Sequence, residues 1–242
     1  PLPALKELAD ILHQVQPEMA PFVHLDRYVQ QIVAGEFKVA VVVSAFRAMP
    51  LAANRELEKA KRQIVSHALE ASSGYRRLMV HSRSHLVESF LREWLSDDRE
   101  REVWVTESRP MREGEHLINA LKDLPNKKVL LVDDARSLAL EEVDAVLIGA
   151  DLVTETSVRN KIGSRALLAM ARQLKTPSYV LADFMKFLPD EMSTARPEQA
   201  HPGEEIAVLE QDVSYFNYYF ESCDLKCVDS VSYTHLRAHE TL

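Results

Sequence analysis

The chain has 242 residues, a net charge of −8 and 46% apolar residues. That is enough for one sizeable α/β domain, or a small helical domain plus a larger one, with a buried core. The acidic balance argues against a nonspecific nucleic-acid binder, which presents a basic face. No apolar run approaches the ~20 residues that span a bilayer. The expectation is therefore no direct nucleic-acid partner and no membrane partner.

The start, Pro1-Leu2-Pro3-Ala4-Leu5-Lys6, is no signal peptide. A chain that opens on Pro1 in place of an initiator methionine is expected to be incomplete. Only Cys223 and Cys227 occur, four apart and with no second pair. A zinc site would need ligands from elsewhere, so the spacing reads as chance. Few cysteines and no export signal point to the cytoplasm.

Residues 4 to 35 carry helical spacing, with Leu5, Leu8, Ile11 and Leu12, then Val29, Ile32 and Val33. Leu51 to Ala71 is a second helical run whose alternating charges suit a solvated face. Ser72-Ser73-Gly74 ends it, which defines an N-terminal helical domain over residues 1–74. After Gly74 the pattern changes. Leu78-Met79-Val80, Val103-Trp104-Val105, Val129-Leu130-Leu131-Val132, Val146-Leu147-Ile148 and Tyr179-Val180-Leu181 are short apolar strands. Between them lie predicted helices near Leu86–Trp94, Glu115–Leu121, Leu138–Glu141 and Ile162–Leu174. Such alternation predicts βαβ units: a Rossmann-like, mostly parallel sheet with helices on both faces, over residues 75–229. Pro189 to Pro202 reads as a loop, and Ile206-Ala207-Val208-Leu209 as one more strand. Residues 230–242 read as a translated sequencing adapter, with no periodicity from Val231 onward, so the native sequence is expected to stop near Asp229. His235 and His239 within it read as accidental.

In an open parallel sheet, ligands bind beyond the carboxyl ends of the strands. Asp151 ends the fourth strand, and Asn160-Lys161 are predicted at the mouth of the following helix. There, free N–H groups and the dipole favour an anion. The plainer alternatives are a loop cap for Asp151, a helix cap for Asn160 and a solvated Lys161. Arg109 follows the second strand, and its planar fork suits a phosphate; a salt bridge to Glu107 or Glu113 is the alternative. Ser82, Arg83 and Ser84 follow the first strand, as a hydroxyl-rich phosphate turn or a plain N-cap. Asp133 ends the third strand with a structural role. Lys186 follows the fifth and can reach the same cleft. No His-Glu-x-x-His, Gly-x-Gly-x-x-Gly or Walker-type loop occurs, so neither a metal nor a dinucleotide cofactor is expected.

The strings Val80-His81-Ser82-Arg83-Ser84, Thr106-Glu107-Ser108-Arg109-Pro110, Val132-Asp133-Asp134-Ala135, Gly149-Ala150-Asp151 with Asn160-Lys161-Ile162-Gly163, and Lys186-Phe187 fall in family-like order. They resemble the family that joins the alpha, beta and delta subunits of translation initiation factor 2B with methylthioribose-1-phosphate and ribose-1,5-bisphosphate isomerases. Phe216-Asn217-Tyr218-Tyr219-Phe220-Glu221 resembles the family's late segment. The closing Thr-Glu-x-Gly element does not follow it, which implies truncation. The resemblance implies pairing through the sheet domain, hence a homodimer or an assembly with related subunits. In the isomerases a cysteine after the first strand faces the acid of the Gly-Ala-Asp motif. Here Ser82 stands at the cysteine position and Asp151 at the acid. A serine hydroxyl is a far poorer acid than a thiol of pKa ~8.5. His81 beside it points to the opposite strand face. The resemblance thus implies a regulatory or noncatalytic protein that binds a sugar phosphate or nucleotide monophosphate. The alternative is an aldose–ketose isomerase with Asp151 as base.

Overall fold

A computed structural model of the chain describes residues 57–190, 200–207 and 213–232, with isolated positions 27, 30, 31, 34 and 55. The helical domain expected over residues 1–74 therefore lies largely outside the described residues. Its last helix, α1, is described over residues 57–71. From there the elements run β1 (Arg77–His81), α2 (His85–Trp94), β2 (Glu102–Thr106), α3 (Glu113–Ala120), β3 (Lys127–Leu131) and α4 (Arg136–Leu140). They continue with β4 (Ala145–Gly149), β5 (Leu152–Val153), β6 (Ser157–Lys161), α5 (Ser164–Leu174), β7 (Ser178–Leu181), β8 (Phe220–Asp224) and β9 (Ser230–Ser232).

The main sheet has the order β3-β2-β1-β4-β7-β9, and every pairing in it is parallel. All five strands expected from the apolar runs are present. Their residues alternate between two cores because successive side chains point to opposite faces. Leu78, Val80, Val103, Val105, Ala145 and Leu147 pack on one side with Ile64 and Val65 of α1, Phe90 and Trp94 of α2, and Leu117 of α3. Met79, Val146, Ile148 and Val180 pack on the other with Leu140 of α4 and Leu167, Leu168 and Ala171 of α5. Each buried Val, Leu, Ile, Met or Phe among them contributes about 1.5–3 kcal/mol. The chain moves outward through β2 and β3, then returns across β1 to β4. That reversal opens a crevice at the carboxyl ends of β1 and β4.

Four elements depart from the sequence expectation. A small antiparallel sheet, β5-β6-β8, stands beyond the end of β4. Its central strand, Ser-Val-Arg-Asn-Lys, is buried from Val158 to Lys161, and so has no apolar–polar alternation to betray it. The helix predicted from Ile162 starts at Ser164, and Asn160 and Lys161 belong to β6. Of the strand expected over Ile206–Leu209, Ile206 and Ala207 are not in strand but follow a 3₁₀ turn at Gly203–Glu205, and residues 208 and 209 lie outside the described residues. Ser230–Ser232, expected to have no regular structure, pairs in parallel with β7 at the sheet edge.

Gly114 shows how closely α3 rests on β2. A Cβ there would lie 1.8 Å from the Thr106 carbonyl oxygen, which is backbone and cannot move aside. Gly114→Ala is expected to cost about 3 kcal/mol in urea denaturation. Gly74→Ala, with nothing within 4 Å of the added carbon, should stay within about 0.5 kcal/mol of the parent.

Candidate functional site

The crevice is lined by loops in unusual backbone states. Ser82, Ser108 and Arg112, all non-glycine, have φ of 67°, 60° and 55°. Such left-handed residues are uncommon and cluster where surrounding structure over-determines them. Ser82 follows β1, and its N–H donates to Ser108 Oγ at 2.8 Å. Gly149, closing β4, lies so near that a Cβ would sit 2.4 Å from Ser84 Cβ. The loops after β1 and β4 are thus in contact. Ser84 is the N-cap residue of α2 in extended backbone, but its side chain makes no capping bond. Arg83 is exposed and donates to Glu88 on α2 at 3.1 and 3.2 Å, a surface pair.

Beneath these loops runs a buried hydrogen-bond chain, in which the Ser108 hydroxyl also reaches the Thr106 carbonyl at 3.2 Å. His81 is 1% exposed. Its Nε2 lies 2.9 Å from the Ile162 carbonyl, which can only accept, so Nε2 carries the proton. Nδ1 of the neutral ring therefore accepts from Thr106 Oγ1 at 2.7 Å. Thr106 Oγ1 in turn accepts from Ser108 Oγ at 2.8 Å, and Ser108 Oγ accepts the Ser82 N–H. Burial pushes the His81 imidazole down to about 4. Arg136 and Lys161 add to this, against the Ile162 hydrogen bond and Asp133. Arg136 also pins the region by donating to the carbonyls of Asp133 (2.6 Å) and Gly163 (3.0 Å).

The charged residues gather beside this chain. Lys161 is 1% exposed. Its Nζ donates to Glu113 Oε1 at 2.6 Å and lies 4.9 Å from the centre of the Tyr219 ring. Lys186 Nζ stands 3.8 Å from Asp151 Oδ1. Burial raises the Asp151 carboxyl above its usual range; Lys186, Lys161 and Arg159 pull it down, and Glu113 pushes it further up. Asp151, Lys161 and Lys186, picked from the sequence, therefore share one cluster. Glu113 joins it, forty-eight residues from Lys161 in the chain, and had been weighed only as a partner for Arg109. Tyr219 covers the cluster, stacked on His201 with ring centroids 3.5 Å apart. Burial and a hydrogen bond to Glu205 push the Tyr219 hydroxyl up to about 12.

Other expected roles are redistributed. Asn160 is 5% exposed and donates to Ser164 Oγ at 2.9 Å. The N-terminus of α5, expected to hold a ligand anion, is already occupied. Glu221 Oε1 accepts the N–H groups of Gly163 (2.6 Å) and Arg165 (2.9 Å). Arg109 bonds neither Glu107 nor Glu113: its N–H donates to Asp133 Oδ2 at 2.8 Å and its Nη2 to the Ile206 carbonyl at 3.2 Å. Asp133 also takes the Ser108 N–H at 3.0 Å, and so orders the loop after β2. Glu221 has a clue in the sequence only in hindsight, as an acid flanked by aromatics. Both cysteines are free.

The fold agrees with that of known proteins. The model of the Initiation factor 2 subunit family matches residues 3–229, and the chain belongs to that family. It is 30% identical over 215 residues to a ribose 1,5-bisphosphate isomerase of Haloterrigena turkmenica, covering 86% of this chain and 63% of that relative. It is 28% identical over 201 residues to a putative translation initiation factor eIF-2B subunit 2-like protein of Pyrococcus abyssi, covering 77% and 65%. The chain thus spans less than two thirds of the length of these relatives. In three dimensions it resembles the Pyrococcus horikoshii OT3 translation initiation factor eIF-2B, with a TM-score of 0.75 at 24% identity, covering 96% of this chain and 80% of that one. No helix among the described residues is long and apolar enough to cross a membrane.

The His81 chain makes a prediction about pH. The folded imidazole titrates at about 4 and the unfolded one near 6.5. Its contribution to stability is therefore complete above about pH 6.5, declines as pH falls, and is gone by about pH 4. The difference is about 3 kcal/mol. Urea denaturation at stepped pH should show wild type losing that much more stability than His81→Gln across this window. Parallel profiles would refute the assignment.

Proposed function

We propose that this protein binds a phosphorylated sugar or nucleotide monophosphate at the carboxyl ends of β1 and β4, and does so as a regulatory or noncatalytic member of its family. The observation that carries the proposal is the state of Ser82. Both ring nitrogens of its neighbour His81 are committed, to Thr106 and to Ile162. Among the described residues the Ser82 hydroxyl has no hydrogen-bond partner to act as a base, whereas a nucleophilic or acidic serine needs one. Lys161 and Lys186 supply positive charge, and the loop hydroxyls of Ser82 and Ser84 supply neutral donors. Asn160 holds the end of β6 rather than a ligand. Arg83 and Arg109, tied to Glu88 and to the Ile206 carbonyl, act at the rim. Action in the cytoplasm, as a homo-oligomer or with related subunits, belongs to the same proposal.

A second reading, aldose–ketose isomerisation of a phosphorylated ribose, draws on Asp151. Its desolvated carboxyl, raised by burial, is better suited to hold and return a proton than an ordinary carboxylate. The relatives named as ribose 1,5-bisphosphate isomerases support this reading too. In it Asp151 lacks the acid partner that a thiol at Ser82 would provide. Removing one partner of such a pair costs about 10²–10⁴-fold in rate.

Thermal unfolding with ribose 1,5-bisphosphate, ribose 5-phosphate and AMP decides between them. A ligand at ~100 times its dissociation constant adds roughly 2.7 kcal/mol of stability. The expected result is stabilisation by at least one of these compounds, lost in Lys161→Met, with no ketose formed on prolonged incubation. Ketose formation that Asp151→Asn abolishes would transfer the assignment to the isomerase. Stabilisation by none of the three would leave neither.

A further inference from the structure

The Lys161–Glu113 pair is asymmetric. Lys161 ends the buried β6, is 1% exposed and cannot reach water. Its ammonium stays charged there only with a counter-anion, because an unpaired buried charge costs several kcal/mol. Glu113 opens α3, and its side chain keeps 28% of its surface in solvent. One of its oxygens meets Lys161 at 2.6 Å, while the other is buried without a hydrogen-bond partner. The carboxylate is thus held at its tip through one oxygen, on an arm that is partly in solvent, whereas the lysine is wholly enclosed. An arriving phosphate finds the ammonium already neutralised by a carboxylate, and two anions on one ammonium repel at effective dielectrics well below that of water.

We propose that Glu113 is a built-in competitor for the anion site: it occupies Lys161 when no ligand is bound and is displaced by the phosphate of the ligand. This rests on the reading of the crevice as a phosphate-ester site and adds a specificity device to it. A dianionic phosphate ester, which makes two or three charge-assisted bonds, can replace the carboxylate. A monoanionic carboxylate ligand gains nothing by the exchange. Glu113 thereby selects phosphate esters over sugar acids, and weakens every anion by the work of its own displacement.

The test uses the full chain with inorganic phosphate as probe, read by thermal unfolding across a phosphate titration. Glu113→Gln should melt lower than wild type without phosphate, since Lys161 loses its counter-ion. It should then bind phosphate at least about tenfold more tightly. Glu115→Gln removes a neighbouring charge that pairs with Arg112 at the surface, and should bind phosphate as wild type does. Should Glu113→Gln fail to fold, Glu113→Asp serves instead. It keeps the charge but shortens the arm by one methylene, and should also bind phosphate more tightly than wild type. Phosphate affinity unchanged or weakened in the folded variant would overturn the proposal, even if wild type binds ribose 5-phosphate well. Absence of phosphate and sugar-phosphate binding in wild type and variants alike would overturn it together with the reading it rests on.

Discussion

The neutral His81 ring is the joint on which the crevice depends. It stands at the end of β1 and reaches β2 through Thr106 and the turn before α5 through the Ile162 carbonyl. The β1–β2 ladder already sets His81 beside Thr106; the ring adds the tie from that pair of strands to the turn before α5. A charged ring would need Nδ1 to donate, which turns the Thr106 hydroxyl toward Ser108 and the Ser108 hydroxyl toward the Thr106 carbonyl at 3.2 Å. What disfavours the charged ring is its burial. Satisfied buried polar networks of this kind specify one arrangement rather than adding much net stability.

The second constraint is charge. β6 brings Arg159, Asn160 and Lys161 inside, where most strands bring valine and isoleucine. Each finds a partner: Arg159 meets Ser222 and Lys161 meets Glu113, both from distant segments, while Asn160 meets Ser164 four residues on. Glu221, also buried, is met by the backbone at the start of α5. The positive end of that helix is thus satisfied from within. This leaves the lysines and the loop hydroxyls, and not the helix dipole, as the site's means of attracting an anion.

How much of this was legible in the sequence follows from the same physics. The five parallel strands were legible because a sheet covered on both faces demands short apolar runs, and Val-Leu-Ile clusters supply them at regular intervals. The rule that ligands gather at the carboxyl ends of such strands pointed to Asp151, Ser82 and Lys186, of which Asp151 and Lys186 stand 3.8 Å apart. β6 was not, because its burial is compensated by partners far away in sequence and leaves no periodic mark. Glu113 and Glu221 were missed for a related reason: their partners Lys161 and Gly163 lie forty-eight and fifty-eight residues off. A carboxylate's role is set by what meets it, and nothing near either residue announces the meeting. The same polar character hid Ser230–Ser232, which gains strand geometry by pairing with β7 rather than from its own side chains.

The central claim is that the β1–β4 crevice is where a phosphate ester binds, with Lys161 at its anion. A crystal structure of the protein soaked with ribose 5-phosphate tests it most directly. The account predicts electron density for the phosphate at the carboxyl ends of β1 and β4, within hydrogen-bond distance of Lys161 Nζ. Density for the sugar phosphate elsewhere on the molecule, with the Lys161–Glu113 pair intact beneath an empty crevice, would contradict it.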